Sequence, residues 1–373
     1  MASIGILLPR SVEYPAMGID LLDGIRLNAK RLGFDCTFYT ESIGFGEDIA
    51  AVQTSAEKLV LNNDPDMFIC YATSLNAEAL YTFIQNTGKP VLFLDAGMEV
   101  FEAPPHPLCY HLTLQGLTAC EKSGEKAGEG GRKVVAACSF LDGGYRSTLA
   151  FCNAVQEKGG TVEGHYVGHY LPKEFSVSQL DQLVKNTQAE AITASFSSYL
   201  VELFMSHLAK EESISNYPPF YCSPFMADEQ LLATVPFPQA AFNVIVPWAT
   251  SVVNDENKIF LDTVQSQKKK TGNIFHLLGW EAIIAAKHIL GSGKIDALNG
   301  WSFESPRGTV KFDAETHNAY APLYEGKIEN NGEGKCKLTI SNRIDVTEEQ
   351  HRKIHFLKPV GEYTRWRNNY FCI

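Results

Sequence analysis

The sequence IGILLPRSVEYPAMGIDLLDGIRLNAKRLG, residues 4–33, contains one complete strand–loop–helix unit. The apolar run at 4–8 has the length of a buried strand, and apolar side chains then recur at helical spacing over 21–32. Gly33 follows as a helix stop. A strand, a loop and a helix in this order are typical of a parallel sheet covered by helices.

The same alternation continues along the chain. It predicts further strands at 34–39, 67–70 and 91–94, with helices at 49–59 and 77–84 between them. A second series follows the glycine-rich stretch 124–131. Its predicted strands lie at 134–138, 161–167, 191–194, 220–222 and 242–246. Its predicted helices lie at 145–158, 177–184 and 198–209. The two series predict an α/β fold with two parallel sheets, each with helices on both faces.

The last part of the chain changes character. Two long helical patterns at 257–268 and 275–290 are expected to pack on whichever sheet lacks helices. Alternating strands are then predicted at 309–312, 322–328 and 336–344, and they indicate a β-ribbon.

Composition restricts the possible partners. The 373 residues are 45% hydrophobic, a size that fits two domains of ordinary length. The chain carries 32 basic and 43 acidic residues, a formal net charge of -11, which repels phosphate backbones and anionic surfaces. No apolar run approaches the roughly 18–20 residues that cross a bilayer. We therefore expect no nucleic-acid partner and no membrane insertion.

The sequence leaves two alternatives for the cellular compartment of the protein. The first residues carry no basic region, long apolar core or cleavage site, which predicts a cytoplasmic protein as the chain is written. A periplasmic protein would read the same if Met1 and Ala2 replaced a removed export signal. Nine cysteines cannot all pair internally, and Cys70, Cys138 and Cys222 are interpreted as buried and reduced.

Searches for catalytic motifs find none. The sequence lacks a Gly-x-Ser-x-Gly elbow, a His-Glu-x-x-His pair and a phosphate-binding loop. The glycine-rich stretch 124–131 precedes a strand, the wrong order for a dinucleotide-binding turn, so it is interpreted as a loop. His165 and His169 would lie about 13 Å apart along a strand, too far to share a metal ion. We expect no catalytic residue, metal or cofactor.

Polar and aromatic side chains follow most of the predicted strands. Six such strand ends lie at 9–14, 71–74, 95–97, 142–145, 195–199 and 223–225. Small ligands bind at the carboxyl ends of parallel strands. Each end alone could be only a helix cap, since Ser, Thr and Asp are the preferred capping residues. Six ends in two series favour one shared cleft.

Two motifs resemble the type I periplasmic binding protein superfamily, the branch with branched-chain amino-acid receptors and cytoplasmic amide sensors. The first is the run 4–9 with Ser11, Tyr14, Gly18 and 20–25, which is similar to the family's opening strand, cleft loop and first helix. The second is the run 305–313 with 316–319, which resembles its late ribbon. The resemblance covers about residues 3–325.

The resemblance implies two Rossmann-like lobes with parallel sheets, joined by three hinge crossovers near residues 112, 248 and 320. Lobe 1 would comprise 1–112 and 249–320, and lobe 2 would comprise 113–248 and 321–345. The tail 346–373 would pack on the lobes, with a partner-binding segment as the alternative.

The resemblance also implies a ligand site. Ser74 matches a serine that binds a ligand carboxylate, and Phe225 stands near the position where amino-acid receptors hold the ligand ammonium with glutamate. Asp95 would replace that glutamate and Arg10 would meet a ligand anion, unless the first only caps a helix and the second is only solvated. The residues assigned to the site are Arg10, Tyr14, Tyr71, Ala72, Thr73, Ser74, Asp95, Ala96, Tyr145, Ser197, Tyr199 and Phe225.

These expectations combine into one leading function. The chain would be a non-catalytic solute-binding protein that closes on an amino acid, amide or carboxylate and delivers it to the membrane subunits of an ABC transporter. The alternative is a cytoplasmic ligand sensor of the same fold, with a regulatory protein as its partner. Neither function needs a cofactor. An enzyme with a doubly wound fold is the third class of function considered, after a solute-binding protein and a ligand sensor.

Overall fold

The computed structural model describes residues 2–46, 48–72, 74–101, 103–142, 146–294 and 296–356. Its strands are β1 (Ala2–Leu8), β2 (Cys36–Ser42), β3 (Met67–Tyr71), β4 (Val91–Asp95), β5 (Cys109–Thr113), β6 (Lys133–Ser139), β7 (Thr161–Gly168), β8 (Ala191–Ser195), β9 (Phe220–Cys222), β10 (Phe242–Val246), β11 (Ser302–Ser305), β12 (Gly308–Phe312), β13 (Ala319–Tyr320), β14 (Leu323–Asn330) and β15 (Cys336–Ile344). Its α-helices are α1 (Met17–Arg31), α2 (Ile49–Asn63), α3 (Ser74–Ala79), α4 (Tyr81–Thr87), α5 (Gly116–Gly128), α6 (Arg146–Glu157), α7 (Ser178–Thr187), α8 (Tyr199–Leu208), α9 (Glu229–Leu232), α10 (Asp255–Lys268), α11 (Ile274–Ser292) and α12 (Glu348–Phe356).

The first sheet is parallel throughout, with strand order β2-β1-β3-β4-β5. Its inner strands are buried along their length, as the continuous apolar runs predicted. The sequence did not predict β5, because His111 and Thr113 interrupt its apolar character. Both side chains are nevertheless buried.

The second sheet has seven strands in the order β15-β14-β10-β9-β8-β6-β7. Strands β6 to β10 are parallel, whereas β14 and β15 join as an antiparallel ribbon next to β10. A small antiparallel sheet, β11-β12-β13, completes the structure. The strands predicted at 309–312, 322–328 and 336–344 are therefore confirmed, but the first belongs to the small sheet and not to the ribbon.

The late helices return to the first sheet. Helix α11 packs on β3, β4 and β5 and lies close against α1. Two glycines permit this approach: a Cβ atom at Gly24 would come within 2.1 Å of the His276 carbonyl oxygen, and one at Gly279 would come within 2.1 Å of the Leu21 carbonyl oxygen. The close packing of these two helices thus depends on missing side chains.

Helix α11 also corrects the statement that no apolar stretch of the chain approaches the length that crosses a bilayer. By length and composition it could cross a membrane, and it is the one helix of that kind among the described residues. In the fold, 67% of its apolar stretch is buried inside the protein. The helix itself was predicted at 275–290, but not its resemblance to a membrane span, because polar residues such as His276 and Glu281 interrupt the apolar pattern.

Helix α5 corrects the interpretation of residues 124–131 as a loop. Residues 124–128 are its last turn, and only 129–131 form a turn outside the helix. A Cβ atom at Gly124 would lie 2.6 Å from the carbonyl oxygen of Phe151, and one at Gly128 would lie 2.5 Å from that of Val155. These glycines therefore allow α5 to pack directly on α6. The single helix predicted at 77–84 is also wrong, because α3 and α4 divide this region.

The chain crosses from the first sheet to the second after β5, leaves the second sheet after β10 and returns to it after β13. Arg307 lies near two of these passages, fully buried, with its guanidinium donating to both carboxylate oxygens of Glu281 at 2.8 and 2.9 Å. It also donates to the Thr113 carbonyl at 3.0 Å, and its own carbonyl accepts from the Tyr324 hydroxyl. The boundaries of two moving lobes stay a prediction.

Helix α12 contacts both the small antiparallel sheet and the helices that cover the second sheet. Arg352 pairs with Asp313 beside the small sheet, while Lys353 pairs with Glu121 of α5 and Glu157 of α6. Residues 357–373 of the predicted tail lie outside the described residues. The eight cysteines of the described residues are free, and Cys70, Cys138 and Cys222 are buried as predicted.

Candidate functional site

An aromatic cluster lies at the carboxyl end of the first sheet. Tyr14, in the loop after β1, packs against Phe275 with ring centroids 5.5 Å apart. Tyr71, the last residue of β3, lies 6.4 Å from the same ring. The structure thus brings two predicted site residues together around Phe275. Sequence reasoning missed Phe275 because it was treated as one apolar position of a helix face.

Arg10 lies on the same loop as Tyr14. Arg10 is exposed, and its backbone N–H donates to the Gly44 carbonyl at 2.6 Å. This bond ties the loop after β1 to the turn after β2. The guanidinium is therefore on the surface beside the strand ends, where a ligand anion or solvent could meet it.

Asp95 ends β4 with its two carboxylate oxygens in different environments. Oδ1 accepts from the Gly97 backbone N–H at 2.6 Å, which is the capping role anticipated as an alternative. Oδ2 is buried and has no hydrogen-bond partner among the described residues. Burial raises the pKa of this carboxyl to about 7. Asp95 therefore combines a local cap with a second oxygen that could bind another group.

Gly97 makes the turn after Asp95 possible. Its φ of 71° lies in the left-handed region, and a Cβ atom there would come within 2.4 Å of the Gln115 backbone nitrogen. The adjacent Ala96 is buried and faces the cavity described below. Ala72, after β3, is also buried, with its N–H donating to the Leu94 carbonyl at 3.2 Å.

Polar side chains of the second sheet are held by one buried carboxylate. Asp142, after β6, accepts from the Ser197 hydroxyl at 2.8 Å and from the Ser139 hydroxyl at 2.6 Å. Ser197 is thereby fixed to its own sheet. Tyr199 is similarly engaged, since its hydroxyl donates to the Tyr170 carbonyl at 3.1 Å.

A direct hydrogen bond joins the ends of the two sheets. The Ser198 hydroxyl, at the start of α8, donates to Oε2 of Glu13 in the loop after β1. Ser198 has a φ of 51°, a conformation that is costly for a residue with a side chain. Neither residue was assigned to the site individually, although both fall within predicted strand ends. Only the tertiary fold shows that they meet.

A cavity of about 250 Å³ lies beside the strand ends and the passage after β10. Ala96 and Phe225 of the predicted site line it, together with Trp248 and Ile274. Two acidic side chains also border it, and both already accept hydrogen bonds from neighbouring groups: Asp228 from the N–H groups of 230 and 231, and Glu229 from Thr250. The wall is consequently mainly apolar.

Ser223, next to Phe225 in sequence, is fully buried, and its hydroxyl finds no hydrogen-bond partner in the part of the chain that the structure describes. Its N–H donates to the Ala194 carbonyl at 2.8 Å, which holds the backbone after β9 against β8. Together with Asp95 Oδ2, this hydroxyl offers an unsatisfied polar atom near the carboxyl ends of the strands.

The remaining assignments cannot be located. Thr73 and Tyr145 lie outside the described residues, and the structure describes Ser74 only as the first residue of α3. The ligand contacts assigned to all twelve residues stay predictions. What the structure adds is their grouping: an aromatic cluster, a buried carboxyl, a hydrogen bond between the sheets and an apolar cavity.

Comparisons with known proteins agree with this architecture. The sequence model of a family described as "Periplasmic binding protein" matches residues 2–333. An ABC transporter substrate-binding protein from Sphaerobacter thermophilus has a similar structure, with a TM-score of 0.78, 15% identity, and coverage of 92% of this chain and 98% of that one. No curated protein sequence gives a significant match.

Two structures from Rhodopseudomonas palustris are similar in the same way. A solute-binding protein of strain BisB5, in complex with 3,4-dihydroxybenzoic acid, has a TM-score of 0.75 at 16% identity and covers 94% and 99% of the two chains. An ABC-type branched-chain amino acid transporter protein of strain CGA009 has a TM-score of 0.75 at 13% identity and covers 94% and 98%. The predicted fold class is confirmed by these likenesses.

Proposed function

The chain belongs to the periplasmic binding protein family, and from this membership we propose that it is a non-catalytic solute-binding protein that closes two lobes around a small organic ligand. The observation that carries the proposal is the meeting of the polar strand ends of two sheets, which Glu13 and Ser198 join directly. Ligands bind at this edge of parallel sheets, and binding shifts an equilibrium between open and closed forms.

The proposed ligand is an amino acid, an amide or a carboxylate. The aromatic cluster of Tyr14, Tyr71 and Phe275 supports an apolar or aromatic part in the ligand. Asp95 Oδ2 and the exposed Arg10 support a polar end. The complex of a similar fold with 3,4-dihydroxybenzoic acid adds benzoates to the compounds worth testing.

A thermal-shift screen of amino acids, amides and aromatic acids tests the proposal, because stabilisation grows with the logarithm of ligand concentration over Kd. Mass spectrometry of any molecule that copurifies with the protein tests it independently. We expect at least one class to raise Tm and the ligand to be recovered chemically unchanged. Absence of both a thermal shift and a copurifying molecule would contradict the proposal, and so would turnover of the ligand.

Arg10 offers a matched test of ligand polarity. Arg10→Gln should weaken a carboxylate ligand by about tenfold or more, since an Arg–carboxylate pair is a strong charge-assisted contact. Arg343→Gln is the control, because Arg343 lies on β15 and pairs with Asp345 away from the strand ends. Equal affinities of both variants would remove Arg10 from the site.

Small-angle scattering tests whether the lobes close: the radius of gyration should be smaller with the ligand bound than without it.

We propose delivery to the membrane subunits of an ABC transporter as the leading role; this role requires the periplasmic localisation that the sequence left as the alternative. A cytoplasmic ligand sensor is the second candidate, and the eight free cysteines of the described residues favour it, since reducing compartments keep thiols unpaired. Fractionation of the native cell distinguishes the two. A protein found only in the periplasm would exclude the sensor, and one found only in the cytoplasm would exclude the transporter role.

A further inference from the structure

Two carboxylates and an imidazole meet between α1 and the start of α11, next to Phe275 of the aromatic cluster. Asp20 and Asp23 lie one turn apart on α1, and His276 lies in the first turn of α11. One ligating atom of each lies within 4.8 Å of the others. Exposure is 4% for Asp20, 8% for Asp23 and 0% for His276.

Asn273 determines which nitrogen of His276 carries the proton. Its side-chain Nδ2 donates to Asp20 Oδ2 at 2.8 Å, and its Oδ1 accepts from the backbone N–H groups of Phe275 and His276. Because these bonds fix the amide orientation, Oδ1 is the atom that faces His276 Nδ1 at 2.8 Å. Nδ1 must therefore be the donor, and in the neutral ring Nε2 presents a lone pair.

That lone pair faces a carboxylate. His276 Nε2 is buried and has no hydrogen-bond partner within the described ranges, and Asp20 Oδ1 lies 3.5 Å from it. Two acceptors at this distance repel each other unless a cation lies between them.

The spacing fits two ligands of one metal ion. Two atoms each about 2.0–2.1 Å from a tetrahedral Zn²⁺ lie roughly 3.3–3.4 Å apart, close to the observed separation of 3.5 Å. Imidazole and carboxylate together suit Zn²⁺ better than the oxygen-preferring Mg²⁺ and Ca²⁺. The bond from Nδ1 to Asn273 Oδ1 is the kind of outer contact that orients a metal-binding histidine.

Two lysines now neutralise the carboxylates. Lys270 Nζ lies 2.9 Å from Asp20 Oδ1, and Lys268 pairs with Asp23. Their side chains are 47% and 32% exposed, so both can extend into solvent without crossing the core. A divalent ion supplies the same two positive charges. The lysines are therefore competitors for the site.

We propose that Asp20, Asp23 and His276 form a zinc site from which Lys268 and Lys270 are displaced when the ion binds. The ion would join α1 to α11 and hold the turn between α10 and α11. Residues 271–274 of this turn line the cavity beside the strand ends. Zinc binding would thus stiffen one wall of the cleft, but the proposal does not depend on the identity of the ligand.

The lysines provide the sharpest test, because their removal should strengthen metal binding. The full-length protein is freed of metal with a chelator and titrated with Zn²⁺ against a chromophoric chelator. We expect one ion per chain, and at least about tenfold tighter binding for the Lys268→Gln/Lys270→Gln variant. Zn²⁺ should also raise the Tm of this variant more than that of the parent.

Ligand variants complete the experiment. Asp23→Asn in the double-lysine background should weaken Zn²⁺ binding by about tenfold or more, and Co²⁺ should lose the visible absorption typical of a four- or five-coordinate site. His165→Gln/His169→Gln is the control for surface histidines and should bind like the parent. If the double-lysine variant binds no ion, or if Asp23→Asn leaves its affinity unchanged, the zinc site does not exist. Melting curves establish that each variant is folded.

Discussion

Asp95 shows at the scale of one residue how a strand end can be both a cap and a binding group. One oxygen holds the turn through Gly97, and the other is buried without a partner among the described residues. The sequence alone left these roles as alternatives. The structure shows that capping uses only one of the two oxygens.

The raised pKa of Asp95 makes the first prediction. Its pKa rises from 3.8 to about 7, so the folded protein holds this proton more tightly than the unfolded chain does. Stability should therefore fall as pH rises between these two values and then level off. Asp95→Asn should remove this part of the dependence, which melting temperatures measured across the range would reveal.

Ligand binding supplies the matching readout. A protonated Asp95 can donate to a ligand carboxylate, so a carboxylate should bind more tightly below pH 7 than above it. A ligand ammonium should show the opposite trend. If affinities of the parent and of Asp95→Asn have the same pH dependence, Asp95 does not contact the ligand.

At the scale of elements, glycine in the right place determines how closely two helices pack. Gly124 on α5 lies against the backbone of α6, where a Cβ atom would come within 2.6 Å of the Phe151 carbonyl oxygen. Gly291 on α11 faces open space, since among the described residues no heavy atom outside its chain neighbours and the adjacent backbone of its own helix lies within 4 Å of the point where a Cβ atom would stand. The same substitution should consequently have opposite effects in the two helices.

The second prediction compares these glycines. Gly124→Ala should lower the free energy of unfolding by about 1–3 kcal/mol, since the added methyl group forces the helices apart. Gly291→Ala should raise it by up to about 1 kcal/mol, because alanine has the higher helix propensity. Urea denaturation of both variants measures the difference. A stabilising effect of Gly124→Ala would contradict the close packing of α5 on α6.

At the scale of the whole molecule, Arg307 connects parts that are distant in sequence. It joins Glu281 of α11 to the Thr113 carbonyl at the end of β5, and its carbonyl accepts from Tyr324 of β14. Gln115 adds a second link, since its Oε1 accepts from the Ala321 N–H at 2.6 Å. The passages between the large sheets are therefore tied by buried polar contacts.

The third prediction concerns this ion pair. Arg307→Met should cost about 3–5 kcal/mol of unfolding free energy, because it leaves the Glu281 carboxylate buried without its partner. The double variant Glu281→Leu/Arg307→Met should lose less than the single one. Arg343→Met is the control, since that arginine is half exposed and its pair is worth about 1 kcal/mol or less. If denaturant titrations show that Arg307→Met loses no more unfolding free energy than Arg343→Met, the buried pair does not have the stabilising role proposed for it.

Local sequence patterns were enough to predict the order of most strands and helices, the parallel sheets and the polar strand ends. These features follow from side-chain periodicity over a few residues, which burial on one face or both imposes directly. The same patterns identified Tyr14, Tyr71 and Asp95 as residues at strand ends. They mistook the end of α5 for a loop because glycine is a poor helix former on its own.

The contacts between distant parts of the chain required the assembled structure. The packing of α5 on α6, the contact of Phe275 with Tyr14, the bond from Ser198 to Glu13 and the burial of Arg307 against Glu281 all join residues far apart in sequence or in separate elements. Periodicity carries no information about such partners. Their energies arise from close packing and from satisfying buried polar groups, which exist only once the sheets and helices are assembled.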